Sequence, residues 1–244
     1  MPELIVNLDS VAMLREACRA LEPDPVQVAA VAEAAGAAGI SVQLREDRRH
    51  VQDRDTRVLK ETVKTSFMLA IAPSEPLLLV AEALKPDWVT LVPAGAGASG
   101  HELNGRDDGL RPAVEGLRRA GIRVGLLVQP DLDLVKLAGG LGVQGVSLHA
   151  GAYAVRFGSP DEQRELEALE NAAEYAQKLG LRVRVAEGVD FRNGGSLFAM
   201  AAVQAFEVGH ALMARAMLVG IGEAVRELIG LMRSARPAVP QYRA

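Results

Sequence analysis

Residues 39–50 read GISVQLREDRRH, and this stretch decides the fold of the chain. A glycine precedes a short apolar run with two β-branched residues, and the run gives way to consecutive polar residues from Arg45 onward. The pattern predicts a buried strand that ends in a polar loop. Because side chains alternate along a strand, we expect Gln43 and Arg45 on one face and Val42 and Leu44 on the other.

The same unit of a short apolar strand followed by helical periodicity recurs along the whole chain. The eight predicted strands are Leu4 to Asp9, Ile40 to Arg45, Ser66 to Ala72, Trp88 to Pro93, Arg123 to Gln129, Gly145 to Gly151, Arg182 to Gly188 and Ala205 to His210. Helix starts are predicted by the capping residues Asp24, Asp53, Asp131 and Ser159. Helix ends are predicted where a glycine precedes a strand, at Gly39, Gly121 and Gly180.

Eight strand–helix units in about 230 residues favour a closed (β/α)8 TIM barrel of the α/β class over an open doubly wound sheet. The barrel is expected to form a single domain over residues 1–233. Residues 11–21 are predicted to add an extra N-terminal helix. The glycine-rich segment from Ala94 to Asp107 is predicted to be a loop long enough to act as a lid, and residues 234–244 are predicted to fray.

Composition argues against several classes of function. The formal net charge is −4 and the basic residues are dispersed, so neither nucleic acid nor a membrane surface is an expected partner. The single cysteine, Cys18, excludes an intrachain disulfide and a cysteine-based zinc site, and its helical context predicts a buried residue rather than a nucleophile. No apolar run approaches the roughly 20 residues of a membrane span, and no basic segment begins the chain, so a cytoplasmic location is expected.

Polar residues cluster at the carboxyl ends of the predicted strands, where barrel enzymes carry out their chemistry. They are Asn7, Asp9, Arg45, His50, His149, Glu187, Gly188, Gly209 and His210. Glycine at both Gly188 and Gly209 predicts a phosphate site, because the backbone can approach an anion closely there. Two alternatives remain open: Asn7 and Asp9 could cap a helix that begins at Ser10, and His149 could be a core histidine bonded to the backbone.

Several segments resemble the pyridoxine 5'-phosphate synthase family in one register over nearly the whole chain. They are residues 7–9 with Leu14 and Arg15, 23–27, 44–50 with 53–55, 149–154, and 209–211 with Arg215 and Ala216. The resemblance implies a (β/α)8 barrel that assembles as a homo-oligomer, a dimer or an octamer. It also implies condensation of 1-deoxy-D-xylulose 5-phosphate with 3-amino-2-oxopropyl phosphate, with neither a metal nor an organic cofactor.

The resemblance assigns site residues unevenly. The positions expected to bind a small phosphorylated metabolite are Asn7, Asp9, Ser10, Arg45, His50, Gly188, Gly209 and His210. The family's three acid/base positions carry Gln43, Ala70 and Glu187 here, and the first two cannot transfer protons. Glu187, Asp9 and His50 are therefore the candidate catalytic residues.

Three functions remain open: a diverged condensing enzyme, a non-catalytic ligand-binding protein, and a pyridoxine 5'-phosphate synthase with an altered residue set. The loss of proton carriers at Gln43 and Ala70 ranks the diverged enzyme first and predicts that the chain does not rescue a vitamin B6 auxotroph. Inside the barrel, Arg184 and Glu207 are predicted to pair, because an unpaired buried charge is strongly disfavoured.

Overall fold

The computed structural model describes residues 1–92 and 110–235, and its parallel strands close into a barrel in chain order. The strands are β1 (Glu3–Asn7), β2 (Gly39–Gln43), β3 (Ser66–Ile71), β4 (Trp88–Leu91), β5 (Arg123–Val128), β6 (Gly145–His149), β7 (Arg182–Ala186) and β8 (Ala205–Val208). The predicted (β/α)8 barrel and its eight strands are confirmed. Each strand ends one or two residues earlier than predicted, where the chain leaves the barrel and enters the loop that follows the strand.

The helices surround the barrel. They are α1 (Asp9–Cys18), α2 (Pro25–Ala34), α3 (Asp53–Thr62), α4 (Glu75–Leu84), α5 (Leu110–Arg119), α6 (Leu132–Gly140), α7 (Gly151–Arg156), α8 (Glu162–Lys178), α9 (Gly194–Ala199), α10 (His210–Val219) and α11 (Ile221–Ser234). The extra N-terminal helix is confirmed as α1, but it begins earlier than predicted, because Asn7 Oδ1 accepts the N–H of Asp9. It also ends earlier, because Arg19 adopts a left-handed conformation with φ 50°.

Two of the predicted helix caps are confirmed. The side chain of Asp24 accepts the Val26 N–H, and that of Asp131 accepts two N–H groups of α6. The prediction for Ser159 was wrong, because α8 starts only at Glu162 and Ser159 Oγ accepts the N–H of Asp161 instead.

The predicted cap at Asp53 was also wrong. The N-cap of α3 is Gln52, and Asp55 in the first turn accepts the Gln52 N–H to form a capping box. Among the predicted helix-ending glycines, Gly121 and Gly180 have positive φ values of 82° and 76°. Gly39 instead opens β2, and Gly36, with φ 111°, follows α2.

The barrel interior is layered. At the amino end, Ile5, Met68, Trp88 and Ala205 form a small apolar cluster. The layer above it is polar and consists of Asn7, Ser41, Thr90, Ser147, Arg184 and Glu207. The outward faces of the strands, such as Val42 and Leu44, are fully buried against the helices. The main core therefore lies between the barrel and its helices, and the polar interior opens toward the carboxyl ends of the strands.

Three further sequence predictions concern segments away from the barrel interior. Cys18 is exposed at the end of α1, so the prediction of a buried cysteine was wrong: α1 ends there and turns this residue toward solvent. Within residues 1–92 and 110–235, no helix is long and apolar enough to cross a membrane. The predicted lid, Ala94 to Asp107, and the predicted frayed tail beyond residue 235 lie outside the described residues.

Candidate active site

The candidate residues converge at the carboxyl-terminal mouth of the barrel. There they line an open cavity of about 520 Å³, which we call the outer cavity. The predicted residues on its wall are Asn7, Asp9, Ser10, Arg45, His50, Glu187, Gly188, Gly209 and His210. Because the mouth gathers the ends of parallel strands, residues up to about 200 positions apart in sequence meet here.

A second space of about 190 Å³, which we call the inner chamber, extends into the barrel below the outer cavity. The two share Asn7, Asp9, Gln43, Arg45, Glu187 and Glu207 as lining residues. Ala70 and His149 line the inner chamber but not the outer cavity. Gln43 and Ala70, the two altered acid/base positions, therefore face the space where chemistry is expected.

Asp9 is held in place by backbone and side-chain bonds. Its Oδ1 accepts the Gln43 N–H at 2.7 Å, and its Oδ2 accepts Asn7 Nδ2 at 3.1 Å. The carboxylate thus links α1 to β2 and does not cap a helix. The pKa of Asp9 is raised to about 7, mainly by burial and to a smaller extent by the negative charges of Glu207 and Glu187, although the two hydrogen bonds lower it. At neutral pH, Asp9 can therefore either donate or accept a proton.

Glu187 lies at the turn that follows β7. It has φ 61°, an uncommon value for a residue with a side chain, and Gly188 beside it has φ 91°. Asn193 Nδ2 fixes this turn by donating to the Gly188 carbonyl at 2.7 Å. Partial burial and the charge of Glu207 raise the pKa of Glu187. Because Glu187 is exposed to solvent in the open cavity, water weakens the effect of its surroundings on its pKa. Glu187 is therefore a weaker candidate for proton transfer than Asp9.

An ion pair forms the floor of the site. Arg184 Nη1 donates to Glu207 Oε2 at 2.8 Å, which confirms the predicted pairing. Glu207 Oε1 also accepts Ser41 Oγ at 2.8 Å and Asn7 Nδ2 at 3.2 Å. Because Asn7 bonds to Asp9 as well, the ion pair is connected to the candidate proton carrier. Sequence reasoning missed Ser41 and the role of Asn7 as a bridge between the two carboxylates.

The polar loop after β2 is anchored by ion pairs that the sequence analysis did not predict. Arg15 of α1 donates to both carboxylate oxygens of Asp55, at 2.9 and 2.7 Å, and to the His50 carbonyl at 3.2 Å. Arg48 pairs with Asp53 at 3.1 Å. These bonds hold His50 at the edge of the outer cavity.

The anion-binding features lie together on the wall of the outer cavity. Helix α10 begins at His210 with Gly209 as its N-cap, so its first N–H groups lie at the mouth. A Cβ on Gly209 would lie 3.0 Å from Asn7 Oδ1, so the backbone approaches as closely as it does only because the residue is glycine. Arg45 Nε is buried without a hydrogen-bond partner among the described residues.

His149 combines the two roles that the sequence left open. Its Nδ1 accepts the Gly151 N–H at 3.1 Å, which confirms a histidine bonded to the backbone. It also lines the inner chamber, where burial lowers its pKa. The imidazole is therefore kept neutral, with its hydrogen on Nε2.

Known proteins match this chain over nearly its whole length. Residues 4–234 match the family described as Pyridoxal phosphate biosynthesis protein PdxJ. A Pyridoxine 5'-phosphate synthase from Citrifermentans bemidjiense is 40% identical over 239 residues, covering 96% of this chain and 100% of the relative. A Pyridoxine 5'-phosphate synthase from Synechococcus sp. is 42% identical over 232 residues, covering 93% and 97%.

Solved structures share the fold at low sequence identity. Phosphoribosyl anthranilate isomerase from Thermus thermophilus superposes with a TM-score of 0.60 at 16% identity, covering 96% of this chain and 100% of that one. A chain of the Amycolatopsis orientalis BexX/CysO complex superposes with a TM-score of 0.66 at 15% identity, covering 100% and 95%. At these identities the likeness concerns the barrel and not its chemistry.

Proposed function

Since the chain belongs to the PdxJ family of pyridoxal phosphate biosynthesis proteins, we propose that it catalyses a condensation of the pyridoxine 5'-phosphate synthase type. In this reaction the amine of 3-amino-2-oxopropyl phosphate forms an imine with the ketone of 1-deoxy-D-xylulose 5-phosphate, and ring closure with loss of water and of one inorganic phosphate gives pyridoxine 5'-phosphate. Sequence alone ranked a diverged reaction first. The name shared by relatives of about 40% identity over nearly the whole chain favours the synthase reaction instead.

The observation that carries the proposal is the raised pKa of Asp9. Condensation of an amine with a ketone requires protons to move in both directions near neutral pH, and a group with a pKa near 7 is best suited to that task. Asp9 has such a pKa and lies where the inner chamber meets the outer cavity. We assign Asp9 as the principal proton carrier and Glu187 as the second.

The two altered acid/base positions, Gln43 and Ala70, are expected to make the reaction slow. Gln43 can donate or accept a hydrogen bond but cannot carry a proton, and Ala70 has no polar side-chain atom. Each positioned acid or base typically contributes about 10²- to 10⁴-fold in rate. Asp9 and Glu187 replace part of that contribution, so we expect product formation that is slow and measurable in vitro.

Substrate phosphates are assigned to the outer cavity, at Gly188, Gly209, His210 and the start of α10. Arg45 and His50 complete this binding frame from the loop after β2. The assignment uses no metal or organic cofactor. The predicted homo-oligomer and the cytoplasmic location stay predictions.

A second candidate function is favoured by Ala70. Ala70 packs with Val92, Leu127 and Ala186, so this wall of the inner chamber is apolar. Such a wall suits a ligand that differs from the family's substrates, either converted by a related reaction or held without conversion. In that case the outer cavity would still bind the phosphate group of the ligand.

The direct test is incubation of the purified protein with the two phosphorylated substrates, with pyridoxine 5'-phosphate detected by mass spectrometry. The proposal expects product from the parent and at least about 100-fold less from Asp9→Asn. Asp133→Asn, which changes an exposed residue of α6 outside both cavities, is the matched control and should retain the parent rate. If the parent binds phosphate but forms no product, the second candidate replaces the first.

A further inference from the structure

We propose that the inner chamber is a subsite for the uncharged, oxygen-bearing end of the substrate, with Ser147 and His149 as its hydrogen-bonding contacts. The proposal rests on the function proposed above, which places the phosphate in the outer cavity. It adds the direction in which a phosphorylated ketone enters the site, with its carbonyl or hydroxyl oxygen innermost.

Ser147 supplies the first observation. The residue is 1% exposed, and its Oγ has no hydrogen-bond partner among the described residues. A buried hydroxyl without a partner is unfavourable by a free energy comparable to a lost hydrogen bond, so native structures rarely leave one. Ser147 lines the inner chamber. A ligand atom in the chamber is a natural partner for this hydroxyl.

His149 supplies a second, independent observation. Ser147 and His149 are two positions apart on β6, so both side chains face the barrel interior. The Gly151 N–H occupies Nδ1, which leaves the Nε2–H as the donor that the imidazole can offer to a ligand. A neutral imidazole donor suits a ketone oxygen, whose partial negative charge it stabilises.

The charges around the chamber argue against a phosphate in this position. Arg184, the cation of the chamber floor, is already paired with Glu207. The chamber also lacks the anion-binding backbone, because Gly188, Gly209 and His210 at the start of α10 line the outer cavity and not the chamber. A neutral group does not need those donors.

The remaining wall indicates the carbon skeleton. Ala70, Val92, Leu127 and Ala186 form an apolar cluster that lines the chamber together with Ser147 and His149. The volume of about 190 Å³ gives room for several non-hydrogen atoms. The combination fits a short carbon chain with one carbonyl or hydroxyl oxygen. A longer group would extend from the chamber into the outer cavity.

Two probes separate the inner chamber from the phosphate site. Dihydroxyacetone phosphate carries a phosphate and a ketone, whereas inorganic phosphate carries only the former group. Binding of each is measured by calorimetry for the parent, for Ser147→Ala and for Ser66→Ala. Ser66 is a matched control, because its Oγ is also buried without a partner among the described residues, and it lines neither cavity.

The proposal expects Ser147→Ala to weaken the binding of dihydroxyacetone phosphate about three- to tenfold, which is the effect of one hydrogen bond. The affinity for inorganic phosphate should stay unchanged. Ser66→Ala should change neither affinity. In ¹⁵N spectra, the Nε2 signal of His149 should shift with the ketone probe and not with phosphate.

Four results would overturn the proposal. Equal weakening of both probes by Ser147→Ala, or no weakening of either, would show that the hydroxyl does not contact the ketone end. A parent that binds inorganic phosphate as tightly as dihydroxyacetone phosphate would overturn the subsite and leave the proposed function standing. A parent that binds neither probe would overturn both.

Discussion

Arg184 and Glu207 meet inside the barrel, where Nη1 of the arginine lies 2.8 Å from Oε2 of the glutamate. The two side chains are only 9% and 15% exposed, so water screens the pair weakly. The bond joins the neighbouring strands β7 and β8 at the floor of the inner chamber. Glu207 also accepts hydrogen bonds from Ser41 and Asn7, which extends the connection to β2 and β1.

Arg184→Met is expected to lower the free energy of unfolding by about 3–5 kcal/mol, because it leaves the Glu207 charge buried without its partner. Urea denaturation of the parent and the variant measures this difference. Arg226→Met is the control: Arg226 pairs with Glu223 at 2.8 Å, but both side chains are more than half exposed, and a change below about 1 kcal/mol is expected. Equal small effects in both variants would contradict a structural role for the interior pair.

Asp55→Asn is expected to destabilise the protein at pH 7 and to do so less at acid pH. Burial of Asp55 would raise its pKa, but hydrogen bonds from Arg15 and the Gln52 N–H outweigh burial, and the pKa is lowered overall. A carboxyl with a lowered pKa stabilises the fold above its unfolded pKa of about 3.9, and that stability is lost as the pH falls. The free energy of unfolding, measured at pH 7 and near pH 3, checks this sign.

Asp53→Asn is the control for this experiment, since Asp53 is about half exposed in its pair with Arg48. It should change stability by less than about 1 kcal/mol at either pH. A constant difference between Asp55→Asn and the parent across this range would show that the ion pair with Arg15 is not the source of the effect.

The fold was predictable because each unit repeats a local signal. A buried strand such as β2 is marked by its apolar run, and the polar residues that follow mark the mouth. The convergence of Asn7, Arg45, Gly188 and His210 then follows from the geometry of parallel barrels, without knowledge of any contact.

Contacts between distant elements were not predictable from local signals. Arg15 and Asp55 are 40 positions apart, and only the packing of α1 against the loop after β2 brings them together. The N-cap of α3 is Gln52 and not the predicted Asp53, and Asp55 lies in the first turn of this helix, where it forms the capping box with Gln52. The inner chamber was missed for a similar reason: in the sequence Ser147 is an ordinary strand residue, and only the structure shows that its Oγ has no hydrogen-bond partner among the described residues.

Asp9→Asn is expected to stabilise the fold at alkaline pH relative to the parent. The pKa of Asp9 is about 7 in the folded protein and about 3.9 in the unfolded chain. The folded state therefore holds the proton more tightly, so its stability is greatest below pH 4 and falls as the pH rises through 7. Asparagine, which stays neutral, should be more stable than the parent at pH 8 by on the order of 1–2 kcal/mol, allowing for partial solvent access.

Thermal melts of the parent and Asp9→Asn between pH 4 and pH 9 measure this effect. The two curves should run close together near pH 4, diverge between about pH 4 and pH 7, and stay apart by a constant amount above pH 7. Parallel curves over the whole range would mean that Asp9 is ionised throughout, and it would then lose its role as a proton carrier at neutral pH.

Phosphate is expected to stabilise the protein by binding in the outer cavity. Its wall carries the N–H groups at the start of α10, the backbone of Gly188 and Gly209, and Arg45. Among the described residues Arg45 Nε has no hydrogen-bond partner, although it lies 3.8 Å from Asp47 Oδ1. At a hundred times the dissociation constant, binding to the native state adds about 2.7 kcal/mol to the free energy of unfolding. For a chain of this size, that corresponds to a rise of roughly 5–10 °C in melting temperature.

The control for this binding should remove the charge without blocking the backbone. A side chain at Gly209 would press on Asn7, because a Cβ there would lie 3.0 Å from its Oδ1, so a valine variant would disturb the Asp9 network as well. Arg45→Met instead keeps the aliphatic stem and removes the guanidinium, and it should reduce the phosphate effect. Arg57→Met, at an exposed residue of α3 outside both cavities, should respond as the parent does.

Melting scans across phosphate concentrations, with chloride at matched ionic strength, complete the test. Stabilisation by phosphate that exceeds the effect of chloride, and that Arg45→Met reduces, supports an anion site at the mouth. The site depends on backbone geometry and on Arg45, not on Gln43 or Ala70, so it should be retained whatever the rate of the chemistry. If phosphate stabilises no more than chloride does, the glycines of the mouth bind no phosphate, and a substrate without a phosphate group must be sought for this cavity.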